Sequence, residues 1–302
     1  SPTISHLIWA DMYPAKAQIN DKRKAKKQTL VKNQLIFIII VIICSSCRNE
    51  PNYHFVEVQG KKQHVLTWGK GEPVVVFLNG GGSPLKDFEV VQKEISKMTM
   101  TISYDKPGLG KSEVSNVPRT LENVTRELRN LLEKEEVSQV PLILVGHSMG
   151  GFVARYYIQQ HPENVVGLVL IDPGSEHLED EWKKVRTRDE LMKEDSLLAE
   201  QIKLVPKGFQ MEVIAYPAHD SILKTFEPKI SVPVTLLESN RVEDGDNDGK
   251  ILIEIQKRLY REFQASVPQT KLISTDISGH FIQKDEPELV IGAIQKMLTK
   301  VQ

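Results

Sequence analysis

The sequence places a serine between two close glycines, in Gly146-His147-Ser148-Met149-Gly150, where two contrasting segments meet. The unbroken apolar run of residues 140–145 precedes it and predicts a strand buried on both faces. Residues 151–158 follow it with apolar side chains at helical spacing. A sharp turn here strains the serine backbone and leaves no room for Cβ atoms at the glycines. The serine hydroxyl then stands clear at a helix N-terminus, where amide groups favour a developing negative charge. The junction predicts that Ser148 is a nucleophile.

The N-terminus has the pattern of an export signal. Seven of the 39 Lys and Arg residues, but two of the 40 Asp and Glu residues, lie in residues 1–47. The apolar run of residues 35–43 follows the basic cluster and is shorter than the about 20 residues that span a bilayer. Its end resembles a bacterial lipoprotein signal with Cys47 as the lipidated residue, although Cys44 stands where that signal usually has Leu. We expect residues 1–47 to be a targeting segment of an exported lipoprotein, tethered to the membrane of a bacterial cell envelope. The alternative is a signal anchor that stays uncut.

Composition limits the partners and the means of stabilisation that this chain can have. A formal net charge of -1 gives no electrostatic basis for binding nucleic acid. Both cysteines lie in residues 1–47, so disulfides have no part in stabilising residues 48–302. The 302 residues, 40% of them hydrophobic, are enough for a sizeable core.

Strand and helix patterns alternate through residues 48–302. After an antiparallel hairpin in residues 53–68, buried strands are predicted over residues 74–78, 98–104, 140–145, 165–171, 232–237 and 270–276. Helices are predicted over residues 84–97, 120–136, 250–264 and from 286 onward. This alternation predicts an α/β fold built on a doubly wound, mostly parallel sheet of about eight strands.

Residues 174–230 interrupt the alternation. They are dense in alternating charges and helical in propensity, but weakly patterned for burial in a main core. We interpret them as a helical cap inserted within the domain of residues 48–302. His177 and His219 fall in the cap and are expected to be solvated.

Three consecutive glycines follow the strand of residues 74–78, in Asn79-Gly80-Gly81-Gly82. Glycines directly after a buried strand indicate that another group approaches the backbone closely there. A flexible loop is one interpretation. The other, which the serine junction favours, is a loop whose amide groups face Ser148 and stabilise an oxyanion.

These stretches together resemble the α/β-hydrolase fold superfamily. The match covers residues 53 to 302 and includes, in the family's order, the Asn79-Gly80-Gly81 loop, residues 105–112, residues 146–151 and Gly279-His280 before the last helix. Asn79 departs from the family, which more often has His there. The resemblance implies that Ser148 is the nucleophile, that His280 is its base, and that the backbone amides of Gly81 and Met149 form the oxyanion hole.

The third catalytic member must be a carboxylate that accepts the other imidazole N–H. The order Ser, Asp or Glu, then His permits an acid after either of two strands. Asp172 follows the strand ending at Ile171, against a proline, and we favour it. Glu238, Glu243 and Asp244 follow the strand ending at Leu237 and remain alternatives.

The sequence predicts no cofactor and no metal centre. Residues 244–249 match the first half of an EF-hand-type calcium loop, but Ile255 occupies the position of its closing Glu. We interpret the segment as a solvated acidic loop.

The expected activity is that of a serine hydrolase cleaving a small-molecule carboxylic ester through an acyl-serine intermediate. Epoxide hydrolases and haloalkane dehalogenases of this fold use Asp as nucleophile, and Ser148 argues against both activities. An aminopeptidase of the prolyl type is an alternative, since Glu176, Glu179 and Glu181 of the cap could hold a substrate amine. A binding module on the same scaffold is a second alternative that the Ser148 and His280 pair disfavours.

Overall fold

The computed structural model of the chain describes residues 49–225, 229–243 and 245–301. The predicted targeting segment with Cys47, and the candidate acid Asp244, lie outside the described residues, so those assignments stay predictions. No helix in the described ranges combines the length and the apolar character that crossing a membrane requires.

One eight-stranded sheet runs through the described residues. The strands are β1 (Asn52–Val58), β2 (Lys61–Trp68), β3 (Val74–Leu78), β4 (Thr101–Tyr104), β5 (Leu142–His147), β6 (Val165–Ile171), β7 (Val234–Ser239) and β8 (Thr270–Thr275). Their spatial order is β1-β2-β4-β3-β5-β6-β7-β8. Strand β2 runs antiparallel to both of its neighbours, β1 and β4, and every neighbouring pair from β4 to β8 is parallel. The predicted fold class is confirmed.

Helices cover both faces of the sheet. They are α1 (Glu89–Ile95), α2 (Leu121–Lys134), α3 (Met149–Gln160), α4 (Leu178–Lys184), α5 (Arg188–Gln201), α6 (Lys207–Leu223), α7 (Asn247–Ser266), α8 (Ile282–Asp285) and α9 (Pro287–Val301). Helices α2, α3 and α7 contribute to the core on one face, while α1 and α9 contribute to the core on the other. Along β5, Leu142 and Leu144 enter the first core whereas Ile143 and Val145 enter the second. Central strands are unbroken apolar runs because successive side chains point to opposite, equally buried faces.

Several predicted elements differ in extent from those observed, most clearly the helix and the strand on either side of residue 98. The helix predicted over residues 84–97 is a 3₁₀ turn at Leu85–Phe88 followed by the shorter α1. The strand predicted from Met98 starts at Thr101, because the backbone N–H groups of Met98 and Thr99 turn back to Ile95 O and close the end of α1. Apolar residues at the end of a helix cannot be distinguished by sequence from apolar residues at the start of a strand.

The chain between β6 and β7 forms α4, α5 and α6, within the segment interpreted as a cap. Helix α4 packs on α7, where Trp182 lies against Leu252 and Leu259. Helices α5 and α6 pack over the loop that follows β4, through Phe209 and Leu109 among other apolar side chains. Helix α6 also reaches the main core through Leu223, so the cap helices pack on the rest of the domain at three places.

Candidate active site

Ser148 lies at the tight turn between β5 and α3 and has a backbone φ of 51° and ψ of -121°. Few non-glycine residues adopt a positive φ, and such strain persists only where the surroundings impose it. They do so here, because a Cβ atom at Gly146 would lie 2.6 Å from Gly150 O, and one at Gly150 would lie 2.0 Å from Leu78 O. Neighbouring backbone thus packs against both glycines, as the sequence predicts.

The close approach at Gly150 gives a stability prediction. Gly150→Ala is expected to lower the free energy of unfolding by about 3 kcal/mol or more, because the new methyl group meets backbone that cannot move aside. Gly292→Ala in α9 is the control, since a Cβ atom there meets nothing within 4 Å. It is expected to stabilise the protein by about 0.5–1 kcal/mol. Urea unfolding measures both, and equal stabilities for the two variants would contradict the packing described.

His280 and Asp172 are joined directly, with 2.7 Å between His280 Nδ1 and Asp172 Oδ2. Asp172 stands immediately after β6, and its other carboxylate oxygen, Oδ1, accepts a hydrogen bond from Ser239 N at 3.2 Å. The same oxygen lies 3.3 Å from the hydroxyl of Tyr260, which also donates to Pro173 O at 2.7 Å. These contacts hold the carboxylate in one orientation. Since Nδ1 of His280 is committed to Asp172, Nε2 is left to serve as a base.

The sheet brings these residues together. Strands β5 and β6 are neighbours, and Ser148 N donates to Ile171 O at 3.1 Å just before Asp172. On the opposite side, His147 Nε2 lies 2.9 Å from the backbone oxygen of His280. Burial lowers the pKa of His147 well below 6.5, so a neutral imidazole donates this bond. The residue before the serine therefore holds the loop that carries His280.

His280 Nε2 is buried and makes no hydrogen bond among the described residues. No hydrogen bond links it to Ser148 in this structure. Hydrogen bonds of catalytic groups are often loose without substrate and tighten in the complex. The structure thus provides an oriented imidazole beside the serine turn, with its second nitrogen free.

The two other candidate acids that the structure describes, Glu238 and Glu243, have partners other than His280. Glu238 faces β8, where its Oε1 accepts from Ser274 Oγ at 2.5 Å and lies 3.8 Å from an Arg261 nitrogen. Glu243 is exposed, and its nearest cation is Arg241 at 3.9 Å. Among the described candidates, Asp172 is the carboxylate in contact with His280.

The glycine loop after β3 lies against the serine turn. A Cβ atom at Gly80 would be 3.1 Å from Ser148 Cβ and 2.8 Å from His147 Nδ1. The neighbouring Gly81 is covered by Phe209 of the cap, with 3.1 Å from an added Cβ to the ring. Gly80 is thus packed against the serine turn and Gly81 against the cap, and there is little room for a side chain at either. Such close packing is expected of the loop that is predicted to form an oxyanion hole with Met149.

Sequence reasoning missed two residues at this loop. Lys106 and Glu212 form a buried ion pair, 2.6 Å between Nζ and Oε1, and both contact the glycine loop. Burial lowers the pKa of the Lys106 ammonium, and Glu212 opposes that shift. The sequence held one signal, a lysine among the glycines and proline of the tight loop of residues 105–112, but nothing pointed to its partner in the cap.

The three cap carboxylates considered for amine binding already have cationic partners. Glu176 makes a bidentate contact with Arg155, at 2.8 and 2.6 Å. Glu179 pairs with Lys183 at 2.8 Å, and Glu181 pairs with Lys184 at 2.6 Å and with Arg258 at 2.7 Å. Binding a substrate amine would require breaking these pairs, which disfavours the aminopeptidase alternative.

His177 is exposed as expected, but the expectation for His219 was wrong. His219 is 1% exposed, and its Nε2 lies 2.6 Å from the backbone oxygen of Arg119. Helix α6 packs this side chain against the core beside Phe152, at 6.3 Å between ring centroids. Tertiary packing of α6, which its sequence pattern did not reveal, is the cause.

Asp220, also in α6, gives a prediction for the pH dependence of stability. Burial raises its pKa from 3.8 to about 8, and the nearby carboxylates of Glu179, Glu176 and Asp180 add to the effect against the opposing charge of Lys224. The folded protein therefore holds a proton that the unfolded chain lacks between those two pH values, and stability falls as pH rises through that window.

Asp220→Asn removes this titration. We expect it to raise the Tm at pH 9 by more than about 3 °C, and to change it little at pH 4. The exposed Asp276→Asn is the control, and it should shift the Tm at neither pH. Thermal unfolding followed by circular dichroism measures the difference, and an equal effect of Asp220→Asn at both pH values would refute the assignment.

The segment compared with a calcium loop has other contacts. Asp246 caps α7, with Oδ1 accepting from Gly249 N at 2.8 Å, and Asp248 pairs with Arg186. Within the described part of the chain, no three His, Cys, Asp or Glu side chains are arranged to hold a metal ion.

A cavity of about 220 Å³ lies beside the Asp172 turn rather than over Ser148. Pro173, Gly174 and Tyr260 line it together with the Arg155 and Glu176 pair. Every charged group among these already has a partner, so the cavity does not define a ligand.

Comparison with known proteins identifies the family. Residues 73–225 match the family model described as the alpha/beta hydrolase fold. The chain belongs to the α/β-hydrolase fold family. The resemblance stated from its motifs is thereby confirmed for the family, and roles of individual residues in this α/β-hydrolase stay predictions.

Individual relatives are distant. The uncharacterized protein YbdG of Bacillus subtilis (strain 168) is 32% identical over 121 residues, 39% of this chain and 37% of that protein. The cis-3-alkyl-4-alkyloxetan-2-one decarboxylase of Shewanella oneidensis is 31% identical over 130 residues, 42% of this chain and 40% of that protein. The chain thus matches less than half the length of these two relatives.

Among solved structures, epoxide hydrolase VrEH1 from Vigna radiata is similar with a TM-score of 0.61. It is 16% identical in sequence, and the match covers 84% of this chain and 99% of that chain. At this identity the similarity shows the α/β-hydrolase fold alone.

Proposed function

We propose that this α/β-hydrolase is a serine esterase that cleaves a carboxylic ester of a small or medium acyl substrate. The observation that carries the proposal is the oriented imidazole of His280, with Nδ1 on Asp172 and a free Nε2, held beside Ser148 by His147. A hydroxyl is a poor nucleophile at its free pKa and needs such a base.

The reaction proceeds in two halves. Ser148 Oγ attacks the ester carbonyl carbon and passes its proton to His280 Nε2, while the carbonyl electrons move to an oxyanion held by the amides of Gly81 and Met149. Collapse of this intermediate breaks the ester C–O bond, and the departing alcohol takes the proton from Nε2. His280 Nε2 then takes a proton from a water molecule, which attacks the acyl-serine carbonyl. Release of the acid returns this proton to Ser148 Oγ.

Several features support an ester over other substrates. Ser148 stands where epoxide hydrolases of the fold use Asp, so ring opening by a carboxylate is not available. The cap carboxylates that an aminopeptidase would use are paired with cations. A binding module would have no need for a strained serine beside a buried, oriented histidine.

The test is turnover of a p-nitrophenyl ester series with acyl chains of two to twelve carbons, beside p-nitroanilides of proline and alanine. The proposal expects hydrolysis of esters with a maximum at short or medium chains and negligible cleavage of the anilides. Preferential cleavage of the prolyl anilide would favour the aminopeptidase. Absence of turnover for every compound by the folded protein would favour the binding module.

A further inference from the structure

A buried ion pair joins the cap to the loop after β3. Lys106 Nζ and Glu212 Oε1 are 2.6 Å apart, and the two side chains are 5% and 2% exposed. The second oxygen of Glu212 accepts from Gly82 N at 2.8 Å. A carboxylate from α6 thus reaches the loop, and the amide of Gly82 is committed to it rather than to a substrate.

Lys106 reaches the same loop at a different point. Its ammonium donates to Gly80 O at 2.7 Å, an oxygen that also accepts from Ser83 N at 3.2 Å, and a longer contact of 3.4 Å leads to Asn79 O. Gly80 C=O belongs to the same peptide unit as Gly81 N–H, the amide predicted to stabilise the oxyanion. In a planar trans peptide the C=O and N–H groups point in opposite directions, so fixing the oxygen fixes the direction of the N–H.

A cation on a carbonyl oxygen also polarises the peptide and strengthens its N–H as a donor, more so where the surroundings have a low dielectric. We infer that Lys106 is a positioning residue that aims and polarises the Gly81 N–H, and that Glu212 of the cap holds Lys106 in place. The inference rests on the proposed serine esterase function, in which this N–H binds the oxyanion.

Stability alone does not account for the pair. Two buried charges gain little over well-packed apolar side chains of similar volume, because the desolvation cost offsets their attraction. Apolar side chains could anchor the loop, whereas they could not polarise the Gly80–Gly81 peptide. The pair also makes the oxyanion loop depend on the cap, since Glu212 lies 130 residues from Gly82 in the sequence.

The test replaces both charges, because Lys106→Met alone would leave Glu212 buried and unpaired. In the double variant Lys106→Met/Glu212→Gln, the Gln oxygen can still accept from Gly82 N. We expect its kcat for a p-nitrophenyl ester to fall about 10- to 100-fold, which is no more than the decrease caused by removing a whole oxyanion donor. KM should change by less than about twofold. A trifluoromethyl ketone, whose adduct with Ser148 carries an oxyanion, should bind more weakly by a factor similar to the decrease in kcat.

The matched control is Arg119→Met/Glu127→Gln. Arg119 and Glu127 form an equally buried pair, 2.6 Å apart with side chains 1% and 4% exposed, and make no described contact with the glycine loop. This control should keep kcat and the ketone affinity within about twofold of wild type. If Lys106→Met/Glu212→Gln does not fold, Lys106→Gln/Glu212→Gln replaces it, and the same loss of kcat is expected because the positive charge is again absent.

Unchanged kcat and ketone affinity in either Lys106 variant would overturn the inference, as would an equal loss in the Arg119 control. These outcomes differ from failure of the proposed function. A folded wild-type protein that neither hydrolyses esters nor binds the ketone would overturn the esterase assignment, and this inference with it.

Discussion

Ser148→Ala is expected to lower kcat for ester hydrolysis by about 10⁴-fold or more, because the variant lacks the hydroxyl that we propose as the nucleophile. The glycine loop and the cap stay in place, so KM should change little. Ester hydrolysis followed by release of p-nitrophenol measures the effect, under conditions where the spontaneous rate is subtracted.

Folding must be intact for that result to carry meaning. Alanine keeps the Cβ atom and the strained backbone of Ser148, so the Tm should stay within a few degrees of wild type. Ser221→Ala, on the exposed side of α6, is the matched serine control and should retain full activity. Retention of near wild-type activity by folded Ser148→Ala would show that another group is the nucleophile.

Asp172→Asn is expected to lower kcat by about 10⁴-fold with the structure preserved. The Asn oxygen can keep the hydrogen bond from Ser239 N, while its NH₂ group faces His280 Nδ1. Nδ1 must then accept a hydrogen bond, so the imidazole proton moves to Nε2 and the base is lost. The loss should appear in kcat more than in KM, since Asp172 is buried and faces His280.

Glu238→Gln is the matched control for the acid. Glu238 is a carboxylate at the end of the next strand, buried to the same degree, and it contacts Ser274 rather than His280. The esterase mechanism expects this variant to keep kcat within about twofold. If Glu238→Gln abolished activity and Asp172→Asn did not, the acid would follow β7, and the contact between Asp172 and His280 would have no catalytic part.

Much of the fold follows from local sequence. The bounds of β6 match the predicted strand of residues 165–171, because apolar residues alone fill both faces of a central strand. Ser148 could be singled out because glycine packing, strand and helix signals coincide within a few residues. His280 required the family's order of motifs as well.

The choice of acid could not be settled from sequence. Asp172 directly follows β6 and Glu238 lies near the end of β7, and which one meets His280 depends on the path of the loop between β8 and α8. The contact of Glu212 with Gly82 was out of reach for a similar reason. The charge pattern of α6 is the same whether a carboxylate faces solvent or a buried lysine, so only tertiary packing separates the two.

Whether Ser148 is the nucleophile is tested most directly by mass-spectrometric mapping of the wild-type protein after reaction with a fluorophosphonate probe. We expect one phosphonylated residue, Ser148. Labelling should be slowed by an intact ester that the protein hydrolyses, and it should be absent in Ser148→Ala. Labelling of another residue, or none in a folded protein that hydrolyses esters, would contradict Ser148 as the nucleophile.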